Sequence, residues 1–155
     1  MSDLYDIDVV EWSEQQSELL RRRAAGELVN DAAFDWPNIA EEIESLGKSV
    51  ARELASQIAV VLEHLMKLRA SPAVDPRNGW KGSIRRARVA IRRDLKDAPS
   101  LRRAVAAMIA DETPAARELA ASSLEEYGEQ SRVDLASLLF TEDEVIGDWF
   151  PDDSS

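Results

Sequence analysis

DWPNIAEEIESLGKSVARELASQIAVVLEHLMKLR, residues 35–69, is the stretch that decides the fold. Asp35 is placed to cap a helix, and Pro37 falls in the first turn, where a missing N–H costs nothing. At 100° per residue, Ile39, Ile43, Leu46, Val50, Leu54, Gln57, Val61, His64 and Leu68 form one stripe over roughly nine turns. A helix of that length is expected to be the spine of the protein. Ile58, Leu62 and Leu65 lie on further faces, so the C-terminal half should be the more deeply enclosed. Gly47, which costs about 1 kcal/mol against Ala inside a helix, predicts a bend or a close helix crossing.

The remaining segments read as helices too. Upstream, Asp8 with Glu11 three residues on predicts a helix start, and Val9, Trp12, Gln16, Leu19, Leu20 and Arg23 recur on one side until Gly26 stops the pattern. Downstream, Ser71–Gly82 with its prolines and glycines reads as a loop. Ser83 is expected to cap the next helix, which runs to about Ala98, with Ile84, Ala87, Arg88, Ile91 and Leu95 inward. Pro99 ends it and Ser100 caps a fourth helix. Pro114 should end or kink that helix near Asp111, before a fifth segment from Ala115 to Tyr127 that Gly128 closes. Thr141 with Glu144 forms a last capping box, followed by Trp149, Phe150 and Pro151 as an expected aromatic anchor. Strand signals are nearly missing. The expected class is all-α, a bundle-like single domain over residues 1–155 built on one long central helix.

The 155 residues include no cysteine, which excludes disulfides, thiolate metal sites and Cys nucleophiles. Thirty Asp and Glu stand against 19 Lys and Arg, a formal charge of −11. That balance argues against general binding to DNA or anionic membranes and suits a cytoplasmic protein. No apolar run is long enough for a membrane span, and the acidic start lacks the form of a signal peptide.

Tyr5-Asp6-x-Asp8, Trp12, Gln15-Gln16 and Leu19-Leu20 are followed by Ile39-Ala-Glu-Glu-Ile-Glu-Ser-Leu-Gly47 and Leu62-x-His-Leu-x-Lys67. Trp80, Ser83-Ile84, Arg88 and Pro99-Ser100-Leu101 then complete an ordered set. In these blocks, residues 5–151 resemble the bacterial family called domain of unknown function twenty-nine. The resemblance implies a helical, bundle-like fold with no established activity. Where that family usually has Gln before the Arg of the third helix, this chain has Ala87.

Three constellations carry chemistry. The first is Glu42, Glu53, Gln57 and His64, which the helical wheel turns inward, with Lys67 as an edge partner. Glu42 and His64 lie about 33 Å apart along a straight helix and Glu53 and His64 about 16 Å, so they cannot share an ion. A single histidine also rules out a four-helix dimetal site, which needs two Glu-x-x-His motifs. The second is Arg88 on an apolar stripe, expected to pair with Glu42 or Glu53 because an unpaired buried guanidinium is costly. The third is the basic run Lys81–Arg103, nine cations against Asp94 and Asp97, with Arg85, Arg92 and Lys96 on one flank and Arg86 and Arg93 on the other. No aromatic residue interleaves it to stack on bases.

The leading expectation is an interaction or structural module, self-associating or bound to a protein partner, with no cofactor and no metal. One alternative is a metal- or anion-binding enzyme using Glu42 or Glu53, His64 and Arg88. The other is a nucleic-acid-associated protein acting through Arg85, Arg92, Arg93 and Lys96, with nucleic acid the disfavoured partner.

Overall fold

A computed structural model describes residues 4–152. Among them the regular structure is helical throughout, with no strand: α1 (Leu4–Ile7), α2 (Val9–Ala24), α3 (Trp36–Ala70), α4 (Arg77–Asp97), α5 (Val105–Glu126) and α6 (Glu142–Ile146). Short 3-10 turns link α2 to α3, α4 to α5 and α5 to α6. The all-α class built on one long helix is thus the observed one. The chain divides into two compact units, the first ending at Ser49 and the second beginning at Val50, and α3 contributes to both.

Caps set the ends of the N-terminal unit. Asp8 accepts from the Glu11 N–H at 3.0 Å and starts α2 where expected. Gly26 lies in the left-handed region at φ +87°, where a glycine ends a helix without strain. Trp12, Phe34 and Ile39 form a small core, with Leu4, Tyr5, Leu19 and Val29 packed on it. The Tyr5 and Trp12 rings meet edge to face at 4.9 Å, and Phe34 stacks on Trp36 at 4.7 Å.

The stripe on α3 divides differently from the expectation. Leu54, Ile58, Val61, Leu62, Leu65 and Leu68 are wholly buried, so the C-terminal half is the enclosed one as its pattern foretold. Ile43 and Leu46, in contrast, are 69 % and 67 % exposed. Periodicity marks which residues share a face; only a neighbouring element can cover that face. A Cβ at Gly47 would meet nothing within 4 Å, so no close crossing exists there, and α3 runs through it unbroken.

In the C-terminal unit, α3 packs with Ile84, Ala87 and Ile91 of α4 and with Val105, Ile109, Ala116 and Ala120 of α5; Leu138 and Val145 complete the core. Two sequence expectations are corrected here. First, α4 begins at Arg77, with Pro76 at its N-cap, and Ser83 lies inside it. Arg77 is buried and donates to the Leu68 and Ser71 carbonyls at 2.8 and 3.4 Å, while Trp80 packs on the core. Those anchors outweigh two helical glycines at about 1 kcal/mol each. Second, Ser100 caps nothing: Pro99–Ala104 is a 3-10 turn, and α5 then runs unbroken through Pro114. Proline removes one helical hydrogen bond. The buried face of Ile109, Thr113, Ala116, Ala120 and Leu124 holds the helix regardless, and the Thr113 hydroxyl donates to the Ile109 carbonyl at 2.6 Å. The capping box at Thr141 and Glu144 forms as read, and α6 packs on both α4 and α5.

Candidate functional site

The first constellation is divided between the two units. In the N-terminal unit Glu42 accepts from the Tyr5 hydroxyl at 2.6 Å, and that hydrogen bond, with burial and the nearby Glu42 charge, pushes the Tyr5 phenol up to about 12. In the C-terminal unit Glu53 is exposed rather than inward and accepts from Gln57 at 3.1 Å. His64 is half-buried, its Nδ1 2.7 Å from the Val60 carbonyl one turn back, a contact that fixes the ring against its own helix. Lys67 pairs with Glu63 at 3.4 Å. Among the described residues, no three His, Cys, Asp or Glu are arranged to hold a metal ion.

Arg88 corrects the second expectation. It is 2 % exposed, yet its partners are backbone carbonyls rather than a carboxylate. Nε donates to Val145 at 3.0 Å, and Nη2 donates to Glu144 at 2.7 Å and Trp149 at 2.6 Å. The end of α6 carries carbonyls with no helical partner, and the guanidinium satisfies them while pinning the C-terminal segment to α4. Burial pushes the Arg88 pKa down; Asp148 opposes that, and the neighbouring Arg92 and Arg85 add to it.

Two cavities in the C-terminal unit follow from these placements. The larger, about 820 Å³, lies between the ends of α3 and α5, the loop before α4 and the first turns of α4. Its walls are Glu63 and Lys67, then Ala73, Asp75, Pro76 and Trp80, then Leu119, Ser122, Ser123, Glu126, Tyr127 and Glu129. Both corrections to the helix boundaries build it: the early start of α4 puts Trp80 on a helix, and the unbroken α5 extends the opposite wall to Tyr127. Lys67 Nζ sits 6.0 Å from the centre of the Trp80 ring, and Glu129 accepts from the Ser71 hydroxyl at 3.0 Å. Asp75 and Glu126 are exposed, and no cation among the described residues pairs with either. The groove is therefore aromatic and aliphatic in its walls and anionic at its rim.

The smaller cavity, about 420 Å³, is lined by Arg85, Arg88, Val89, Arg92, Asp148 and Phe150. Phe150 does dock as the sequence suggests, with the Arg88 and Arg85 guanidinium carbons 4.9 and 5.1 Å from its ring centre. Arg93 and Lys96 are exposed and lie outside both cavities.

Sequence reasoning missed Asp75, Leu119, Glu126 and Tyr127. Asp75 lies in the loop before α4 while Leu119, Glu126 and Tyr127 lie at the end of α5, and no local spacing in the sequence ties that loop to that helix end.

The chain belongs to the family described as Domain of unknown function DUF29, which matches residues 4–148 and so covers nearly its whole length. No curated protein and no solved structure matches it.

Proposed function

We propose that this member of the DUF29 family is a non-catalytic interaction module, and that its groove between α3, α4 and α5 takes a basic, partly apolar segment of a partner protein. The reading includes a cytoplasmic location. The single observation that carries it is the groove itself: about 820 Å³, inside the range of ligand sites, with Trp80 and Tyr127 on its walls and, at its rim, Asp75 and Glu126, which no cation among the described residues pairs. Aromatic faces and carboxylates together favour cationic side chains, and Lys67 already lies over Trp80 in that way. Leu119 and Pro76 offer the apolar contact that an alternating basic and aliphatic segment would fill.

The test is calorimetric titration with an acetylated hexapeptide alternating Lys and Leu, against a Glu-Leu control. Saturable binding of the basic peptide alone, weakened about tenfold in Asp75→Asn/Glu126→Gln, is expected. Tyr127→Ala, at an exposed position, should also weaken it without changing the fold. Equal binding of both peptides, or of neither, contradicts the reading.

A further inference from the structure

The smaller cavity stands independently of the groove and has the opposite charge. Arg85, Arg88 and Arg92 are spaced three and four apart, so α4 presents them on one face. Arg88 is fixed by three carbonyls through Nε and Nη2. Its Nη1 has no acceptor among the described residues and is not sealed from solvent, so two N–H donors of a buried, rigid guanidinium remain available at the cavity wall. Among the described residues no carboxylate pairs with Arg85, Arg88 or Arg92, and Asp148 is the one acid lining the cavity. Phe150 closes one side and orients Arg85 and Arg88 over its ring.

Collecting three guanidiniums around one small space raises their mutual repulsion: at Arg88, where burial is the main cause of the lowered pKa, the charges of Arg92 and Arg85 add to it. An anion between them relieves it. Guanidinium forks match the paired oxygens of carboxylates and phosphates alike; a phosphate, with up to two negative charges, better offsets three cations around one space, and the fixed Arg88 lowers the entropy cost of closing on it. A cavity of about 420 Å³ has room for a small molecule carrying that phosphate. A duplex is poorly served, because the pinned Arg88 cannot reach outward to a backbone.

We propose that Arg85, Arg88 and Arg92, with Phe150 as a wall, form a binding site for the phosphate group of a small molecule. Inorganic phosphate and an organic phosphate monoester share the chemistry and are separated by the test.

Calorimetric titrations with inorganic phosphate and with glycerol phosphate, at constant ionic strength in chloride, provide it. Binding of either, weakened about tenfold or more in Arg85→Gln/Arg92→Gln, supports the site. Tighter binding of glycerol phosphate identifies an organic monoester as the ligand, and equal or weaker binding identifies the free ion. Both substituted residues are exposed, so the double variant should keep the wild-type unfolding temperature, whereas Arg88→Met removes a structural anchor as well. Binding of neither probe overturns the proposal. So does binding that the double variant leaves unchanged, or tight binding of a single-stranded oligonucleotide without binding of either small probe.

Discussion

The two units solve the same problem, satisfying polar groups beside a helical core, with a different balance of chemistry. In the N-terminal unit carboxylates accept from side chains: Asp35 takes the Trp12 indole N–H at 2.9 Å and the Asn38 amide at 2.8 Å, and Glu42 takes the Tyr5 hydroxyl. In the C-terminal unit guanidiniums donate to carbonyls: Arg77 to Leu68 and Ser71, Arg88 to three carbonyls near the C-terminus, Arg117 to Leu135 and Leu138, and Arg132 to Leu68. Neither arginine nor a peptide carbonyl titrates in the accessible range, so the second arrangement is indifferent to pH and the first is not. The difference also leaves charge to spare. Arg88 is satisfied by backbone and takes up no carboxylate among the described residues, and among those residues Asp75 and Glu126 stay unpaired at one cavity as Arg85 and Arg92 do at the other.

The largest expected effects are on stability. Leu62→Ala, at a fully buried position of α3, is expected to cost about 2–5 kcal/mol, and Ile43→Ala, on the uncovered part of the same helix, within about 0.5 kcal/mol. Equal costs in chemical denaturation would erase the distinction between the two parts of α3. Arg88→Met should cost about 3 kcal/mol, since it strands three carbonyls, and Arg88→Lys should recover little, because one ammonium cannot span them.

Acid should separate the units next. The Asn38 amide, aided by the Trp12 indole and opposed by burial, holds the Asp35 carboxyl below the usual carboxylate range. Its contribution is therefore complete above the unfolded value near 3.8 and is lost as pH falls through the lower folded value. Hydrogen exchange followed from pH 6 to about pH 3 should show protection of α2 falling more than that of α4, and Asp35→Asn should remove the difference. The smallest effect is at high pH. In Tyr127→Phe the remaining phenol, Tyr5, should titrate near 12, and its bond to Glu42 stabilises fully below about pH 10 and fades as pH rises through 12. An ultraviolet titration centred near 10 would deny that bond.

Local signals were legible in the sequence and distant ones were not. Asp8, Thr141 with Glu144, and the enclosed half of α3 follow from spacing alone, because a cap or a stripe is complete within a few turns. The start of α4 depends on Arg77 reaching the end of α3, and the passage of α5 through Pro114 depends on its buried face. Arg88 reads correctly as a buried charge that needs partners. Its partners are carbonyls 56 to 61 residues away, which no side-chain inventory can reveal. The groove is the extreme case, since Asp75, Trp80 and Tyr127 meet only once three elements have packed.

The claim that the C-terminal unit binds through this groove is tested most directly by following every backbone amide and the Trp80 indole by NMR while the basic Lys-Leu hexapeptide is added. The account predicts saturable shifts confined to the Trp80 indole and to residues around Lys67, Asp75, Glu126 and Tyr127, absent in Asp75→Asn/Glu126→Gln. Shifts spread over the acidic surfaces of both units, or no shift at all, would contradict it.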